Sequence, residues 1–237
     1  EMCIRDSLVS DEKKILIDTG NGTKWEEKYK QIYNINTDQY NIEKSLGKYG
    51  FSSEQITDVI CTHMHFDHIG GNTKIKFGEV VPTFPNAKYW ISEENWNLAN
   101  HPSQKDAGSF IEHDWKVLAE NQMIEIIDGR EPFIEGIETI VTRGHTPGLL
   151  HPVVSDGSNK LFYGADIFPM VAHIPIPWVM AYDVQPVVTM EEKQKLLQKM
   201  EREDWILFFE HDPHIQACTV HKDGKHYKLN KEIKISD

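Results

Sequence analysis

The sequence predicts a mixed α+β fold in a single domain covering residues 1–237, and three observations indicate it. The chain has 237 residues, of which 39% are hydrophobic, enough to bury a substantial core. Short β-branched or apolar runs alternate with amphipathic helical patterns along the whole chain. Histidines and aspartates stand directly after several of the predicted strands, where a rigid sheet can hold a functional site.

The first half of the chain predicts strands alternating with helices. β-branched and apolar runs place strands at residues 14–18, 57–62 and 88–92. Apolar residues at near-helical spacing place helices at residues 37–49, 93–97 and 109–120, and Ser92 can cap the second of them.

Strands dominate the next part of the chain, and a helix follows a long loop. Strands are expected at residues 123–127, 137–142, 149–155, 160–163 and 206–209. Four prolines within residues 168–188 exclude a continuous helix or central strand, so this segment is expected to be a loop over the site. Thr189 then begins a helix, and the chain closes with a hairpin that turns at Asp223 and Gly224.

The segment that follows the second strand, HMHFDHIGG at residues 63–71, concentrates metal-binding side chains on one loop. It presents His63, His65, Asp67 and His68 within six positions. Imidazole and carboxylate groups are borderline ligands that suit Zn²⁺, while Fe²⁺, Mn²⁺ and Co²⁺ also suit such a site. The motif therefore predicts a metal site at a strand end.

Three further candidate ligands come later, each just after a predicted strand. His145 lies in the tight turn GHTPG, Asp166 follows residues 160–163, and His211 follows residues 206–209. An isolated histidine is more often explained by a local hydrogen bond than by a metal. Agreement of four separate segments makes coincidence improbable, and the sequence predicts that their ligands converge.

These motifs resemble those of the metallo-β-lactamase superfamily, which includes glyoxalase II, acyl-homoserine lactonases and methyl-parathion-hydrolase-like enzymes. The resemblance extends from about Ile15 to the C-terminus. It implies a four-layer αββα sandwich, in which two mixed sheets lie face to face with helices outside.

The resemblance also implies the roles of the ligands. Two zinc ions about 3.5–4 Å apart would share a hydroxide of lowered pKa, which attacks the substrate. Asp67 and Asp166 are the implied catalytic residues. The implied ligands are His63, His65 and His145 for one metal, Asp67, His68 and His211 for the other, and Asp166 as the bridge.

Three residues differ from the patterns of related enzymes, and these differences limit the class of substrate. Asp166 stands where well-known β-lactamases have cysteine, Pro169 where acyl-homoserine lactonases commonly have tyrosine, and Leu149 where glyoxalase II has another histidine. The style of the loop after Asp166 is closest to the methyl-parathion-hydrolase-like and lactonase-like branches. We expect a small ester-like substrate: a lactone, carboxyl ester, thioester or organophosphate.

Two alternatives stay open at this point. A phosphodiesterase or nuclease of the same superfamily is disfavoured by the net charge of −12 and by the lack of any basic cluster. A non-catalytic metal-binding protein on this fold is disfavoured by the complete ligand set, although a fold does not by itself establish a function.

Side chains near the ligands in sequence are candidates for the substrate pocket. Phe66 lies between two ligands, and further aromatic residues lie on the proline-rich loop. Two histidines that follow ligands could also reach the pocket. The predicted pocket residues are Phe66, His151, Phe168, His173, Trp178 and Tyr182.

Composition also bears on partners and compartment. Cys3, Cys61 and Cys218 fit neither a disulfide framework nor a metal knuckle, so free thiols in the cytoplasm are expected. Residues 1–7 match no strand or helix pattern and are expected to be non-native or disordered. If the true N-terminus is missing, a signal peptide could have been lost with it, so secretion stays an alternative to a cytoplasmic location. We expect a small-molecule substrate, no nucleic acid and no membrane, and a homodimer would be unsurprising.

Overall fold

The computed structural model describes residues 6–9, 12–37, 41–129 and 131–235. The chain divides between Ile127 and Asp128 into two compact units, called here the N-terminal and C-terminal units. That the whole chain acts as a single domain stays a prediction.

The N-terminal unit combines a five-stranded sheet, a small hairpin and short helices. Its strands are β1 (Asp6–Val9), β2 (Lys14–Ile17), β3 (Asp58–Ile60), β4 (Thr73–Lys76), β5 (Glu79–Pro82), β6 (Lys88–Ser92) and β7 (Ile124–Ile127). Its helices are α1 (Glu27–Tyr33), α2 (Ile42–Lys48), α3 (Phe66–Ile69), α4 (Glu93–Asn100) and α5 (Lys116–Glu120).

The sheet of this unit has the order β1-β2-β3-β6-β7, while β4 and β5 form a separate antiparallel hairpin. Strands β2, β3, β6 and β7 are parallel, and β1 lies antiparallel on the edge. The side chains of β3 are buried throughout, as expected of a parallel strand covered on both faces. Parallel pairing brings the carboxyl ends of β2 and β3 to the same edge, where Asp18 and the HMHFDH motif follow.

Glycines allow two loops to meet at this edge. The N–H of Gly71 donates to the carbonyl of Gly20 at 2.9 Å. A Cβ on Gly70 would overlap the carbonyl of Asn21, and one on Gly22 would overlap the carbonyl of Gly70. The glycine pair after the histidine motif is therefore required by close backbone approach.

The C-terminal unit is built on one six-stranded sheet with the order β13-β12-β11-β10-β9-β8. Only the pair β10 and β11 is parallel. Its elements are β8 (Ile137–Thr142), β9 (Leu149–Ser155), β10 (Lys160–Tyr163), α6 (Pro186–Glu203), β11 (Ile206–Phe208), β12 (Ala217–Asp223) and β13 (His226–Ile233).

Helix α6 packs closely on the turn after β8. It begins with Pro186, whose missing N–H costs nothing in the first turn. Glu192 accepts hydrogen bonds from the N–H groups of Arg143 and Gly144 at 2.8 and 2.9 Å. A Cβ on Gly144 would overlap the backbone of Thr189. The helix thus holds the backbone that leads into His145.

Several sequence-based expectations need correction. Asp6 and Ser7 belong to β1, although residues 1–7 were expected to be non-native or disordered; residues 1–5 lie outside the described chain. The helix expected at 37–49 is shorter, because Asn41 caps it with hydrogen bonds to the N–H groups of Glu43 and Lys44. Tyr40 lies outside the described residues.

The helix expected at residues 109–120 is instead a 3₁₀ turn, Glu112–Asp114, followed by α5. Asp114 is buried and forms an ion pair with Lys24 at 3.0 Å, and the carbonyl of His113 accepts from Thr73 Oγ1 at 2.8 Å. These tertiary partners stabilise a backbone that is not α-helical, which the amphipathic spacing could not indicate. The later helix begins at Pro186 rather than after Thr189, which shortens the expected loop.

Among the described residues, no helix is long and apolar enough to cross a bilayer.

We expect Gly70→Ala to lower the free energy of unfolding by about 1–3 kcal/mol, because the added methyl group forces two backbones apart. Gly47→Ala is the matched control, since Gly47 lies within α2 with open space around it. The control should leave stability unchanged or raise it by about 0.5–1 kcal/mol through helix propensity. Urea denaturation of both variants measures this, and equal stabilities would contradict the close approach.

Candidate metal centre

Four of the predicted ligands lie together at the end of β3 in the N-terminal unit. His63 follows the strand, His65 is the N-cap of α3, and Asp67 and His68 lie within that four-residue helix. His63 Nε2 lies 2.9 Å from His65 Nδ1, and the rings of His63 and His68 are 3.9 Å apart. The end of β3 and the first turn of α3 therefore bring three imidazoles and a carboxylate together.

A buried carboxylate from the end of β2 holds this loop. Asp18 accepts from the N–H of Thr62 at 2.7 Å, from Thr62 Oγ1 at 2.6 Å and lies 2.9 Å from His68 Nδ1. The hydrogen bond to Nδ1 leaves His68 Nε2 as the ring atom for a metal. Asp18 has a positive φ of 57°, in the left-handed region that aspartate tolerates better than most residues.

Three predicted ligands lie at strand ends of the C-terminal unit. His145 occupies the turn after β8, Asp166 a 3₁₀ turn after β10, and His211 the segment after β11. Asp166 Oδ1 lies 2.8 Å from His211 Nε2, while Asp166 Oδ2 lies 3.2 Å from His145 Nε2. The two oxygens of one carboxylate thus face the Nε2 atoms of two different histidines.

Asp183 supports His145 as Asp18 supports His68. Its Oδ1 lies 2.9 Å from His145 Nδ1, and both side chains are buried. The neighbouring backbone adds two hydrogen bonds, from the N–H of Val184 to the carbonyl of His145 and from the N–H of Gln185 to that of Gly144. The orientation of the His145 ring is therefore fixed by residues about forty positions away in sequence.

The two ligand sets fit a metal centre by their chemistry. His63, His68, His145 and Asp166 are all nearly or fully buried. Burial of so many ionisable groups is costly unless they are paired or bind a metal. Histidines directed by carboxylates are the usual ligands of zinc, and aspartate completes such sites. Each unit by itself thus presents a donor set of the kind that zinc binds.

Phe66, predicted to line a substrate pocket, borders a cavity of about 420 Å³ in the N-terminal unit. Trp25 and Tyr33 contact its ring, with centroids at 5.1 and 5.5 Å. The Lys24–Asp114 ion pair also lines the cavity. Burial lowers the pKa of Lys24 and raises the pKa of Asp114. Aromatic rings therefore line part of the cavity, and a charged pair lines another part.

Two other residues predicted to line the pocket, His151 and Phe168, are fully buried. His151 is wholly buried on β9, with Nε2 at 2.8 Å from Thr142 Oγ1 and Nδ1 at 3.0 Å from the carbonyl of Tyr163, so it exposes no surface to a substrate. Burial also lowers the pKa of His151 to about 4, so this ring is a neutral core residue. Phe168 is likewise fully buried and packs against Phe162, so it belongs to the core.

Three members of the predicted pocket set remain accessible in the C-terminal unit. Trp178 and Tyr182 are 63% and 73% exposed on the proline-rich loop. His173 is half-buried in a 3₁₀ turn, and burial lowers its pKa. Their place in a substrate pocket stays a prediction.

Four residues that shape the metal ligand sets and the cavity beside Phe66 are not among those predicted from the sequence. Asp18 had a usable signal, because it ends a strand as the predicted ligands do. Asp183, Trp25 and Tyr33 had none, since no spacing or motif connects them to the histidines. Their roles come from tertiary contacts alone.

The fold and the ligand-bearing strand ends define the class of metal-dependent hydrolases. The family model of the metallo-beta-lactamase superfamily matches residues 6–211. The chain belongs to this superfamily and is one of its hydrolases, as its sequence motifs predict. The predicted metallo-β-lactamase fold, with its mixture of helices and sheets, is confirmed.

Characterised relatives are similar over most of the chain. An N-acyl homoserine lactonase, AiiA, of Bacillus thuringiensis subsp. kurstaki is 25% identical over 229 residues, which cover 90% of this chain and 82% of that protein. The N-acyl homoserine lactonase AttM of Agrobacterium fabrum is 25% identical over 175 residues, covering 69% of this chain and 61% of that protein.

Solved structures share the fold at low identity. AidC, described as a dizinc quorum-quenching lactonase, has a TM-score of 0.77 and 24% identity, covering 97% of this chain and 79% of AidC. A probable metal-dependent hydrolase from Staphylococcus aureus has a TM-score of 0.83 and 24% identity, covering 96% of this chain and 82% of its own.

We expect Asp18→Asn to weaken zinc binding by about 10–100-fold, the usual effect of losing a carboxylate that orients a ligand histidine. The amide places an N–H₂ group where donors from Thr62 and His68 need an acceptor. Competition with a chromophoric chelator measures the affinity. Asp156→Asn, on the exposed β9–β10 turn, is the control. Equal affinities of Asp18→Asn and the control would show that Asp18 does not orient a ligand.

Proposed function

We propose that this chain is a dinuclear zinc hydrolase of small ester-like substrates, and that a lactone is the substrate to test first. One observation carries the proposal: the two oxygens of Asp166 face the Nε2 atoms of His145 and His211. A carboxylate placed in this way can bridge two metals. Membership of the metallo-beta-lactamase superfamily supports the proposal.

Two zinc ions, when bound, supply the Lewis acidity that activates water and polarises an ester carbonyl. The side chains of the protein orient the ligands and accept a proton. Asp18 and Asp183 orient the rings of His68 and His145, so that the ligands require little rearrangement. Asp67, with its side chain 24% exposed, is the ligand in this loop best placed to orient the attacking water and accept its proton.

The aromatic cavity beside Phe66 suits the apolar portion of the substrate. Phe66 lies between two ligands in sequence, so a group bound against its ring also lies near the ligand loop. Trp25 and Tyr33 extend the apolar wall from Phe66 towards α1. An acyl chain or an aromatic ester group would lose apolar surface to water here, which favours binding.

Overall similarity to relatives supports the assignment as a lactonase, whereas one residue near the ligands differs from the pattern of that group. The relatives named as N-acyl homoserine lactonases align with most of this chain. Pro169 nevertheless stands three residues after Asp166, where a tyrosine would be expected in that group. We therefore keep carboxyl esters, thioesters and organophosphates as substrates to compare with lactones. The homodimer and the cytoplasmic location stay predictions.

Purified protein should hold two zinc ions per chain and hydrolyse at least one member of a panel: a homoserine lactone, a p-nitrophenyl ester, a thioester, a phosphotriester, a phosphodiester and a β-lactam. Asp166→Ala should lose metal and at least about 10³-fold in kcat/KM, because both metals lose a ligand. Metal analysis and hydrolysis assays measure this, with Asp156→Ala as control.

Fewer than one metal per chain together with no turnover across the panel would contradict the catalytic assignment and favour a non-catalytic metal-binding protein. Turnover of the phosphodiester alone would favour the phosphodiesterase alternative. A native metal other than zinc would appear in the same metal analysis.

We expect Phe66→Ala to lower kcat/KM about tenfold for long-chain or aromatic esters, equivalent to about 1.4 kcal/mol of lost apolar contact, and much less for an acetyl ester. Phe77→Ala is the control, because Phe77 is 96% exposed at the tip of the β4–β5 hairpin. A series of esters of increasing chain length measures the difference. An equal loss of kcat/KM for short and long esters would contradict binding of the acyl chain of the substrate against Phe66.

A further inference from the structure

Helix α6 buries a lysine whose ammonium group donates to three carbonyls of one loop. Lys193 has no exposed surface, and its Nζ donates to the carbonyls of Pro175, Ile176 and Trp178 at 2.9, 3.3 and 2.7 Å. An ammonium group has three donors, so the loop uses all of them. Nζ also lies 5.6 Å from the ring centroid of Phe168.

Two prolines reduce the number of backbone donors in the loop that Lys193 binds. Pro175 and Pro177 have no N–H, and the N–H of Trp178 donates to the carbonyl of Pro175 at 3.0 Å. Carbonyls buried without donors are costly, and a cation in their midst provides strong, charge-assisted hydrogen bonds. Lys193 therefore stabilises this conformation of the loop.

The same loop leads directly to the carboxylate that orients a predicted ligand. Asp183 comes five residues after Trp178 and accepts from His145 Nδ1. Burial lowers the pKa of Lys193 to about 8, whereas the charge of Asp183 acts in the opposite direction and favours the ammonium form. Glu192, the preceding residue on α6, binds the N–H groups of residues 143 and 144. Adjacent residues of one helix thus hold both segments that flank the His145–Asp183 pair.

We propose that Lys193 is a positioning residue that holds residues 175–183 in the conformation in which Asp183 orients His145. The lysine acts through the loop and touches neither the ligand nor a substrate. The loop-holding part stands on the contacts of Lys193 alone, and only its consequence for metal binding rests on the proposed zinc centre.

The test replaces Lys193 with Met, which keeps an unbranched apolar stem up to Cε but removes the donors and the charge. Lys195→Met, an exposed lysine two residues further on the same helix, is the matched control. Lys193→Gln keeps two donors and serves as the conservative variant, which also guards against misfolding of Lys193→Met. Amide hydrogen exchange is measured on the metal-free proteins well below their melting temperatures.

The expected result is exchange at least about tenfold faster across residues 176–183 in Lys193→Met, less so in Lys193→Gln, and unchanged in Lys195→Met. Zinc release to a chelator should then be about tenfold faster for Lys193→Met, the scale of losing an orienting partner. A merely structural lysine would lower the melting temperature without changing either local readout.

Two results would overturn the inference. Exchange of the loop at the wild-type rate in Lys193→Met would show that Lys193 does not hold it. Faster loop exchange with zinc release at the wild-type rate would show that the loop does not position His145. If wild-type protein binds no zinc, the proposed function fails, while the exchange comparison on metal-free protein still decides whether Lys193 holds the loop.

Discussion

A hydrogen bond from histidine Nδ1 to a buried carboxylate occurs in each unit of the chain, and both ligand sets depend on it. Asp18 pairs with His68, and Asp183 pairs with His145. A buried carboxylate is costly unless its oxygens are satisfied, and Thr62 donates twice to Asp18. The bond determines which ring nitrogen carries the proton, so Nε2 is available to a metal. Ring orientation is therefore set by the protein.

The carboxyl ends of strands supply the remaining geometry. In the N-terminal unit, the parallel pair β2 and β3 brings Asp18 and the histidine motif to the same edge. In the C-terminal unit, parallel β10 and β11 do the same for Asp166 and His211. Short turns then direct the side chains, and glycines allow the backbones to approach where a side chain would not fit.

The cavity beside Phe66 and the proline-rich loop are stabilised by different interactions. The cavity beside Phe66 is lined by aromatic side chains that pack on one another, which suits apolar ligands of varied shape. The proline-rich loop is held instead by hydrogen bonds from Lys193, a directional interaction that fixes one backbone conformation. Packing thus shapes a pocket in the N-terminal unit, whereas a buried charge orders the segment near His145 in the C-terminal unit.

The sequence by itself determined the family and the types of ligand, because HMHFDH and GHTPG are local patterns that directly follow β-branched runs. It also placed β8, β9 and β10 at their observed bounds, since alternation and turn residues act over a few positions. Only the tertiary structure decided that His151 and Phe168 are core residues and that residues 109–114 are not α-helical. It also decided the pairs Asp18–His68 and Asp183–His145, which join residues 50 and 38 positions apart. Local patterns report the face that a residue prefers, whereas partners distant in sequence are selected by the packing of the whole chain.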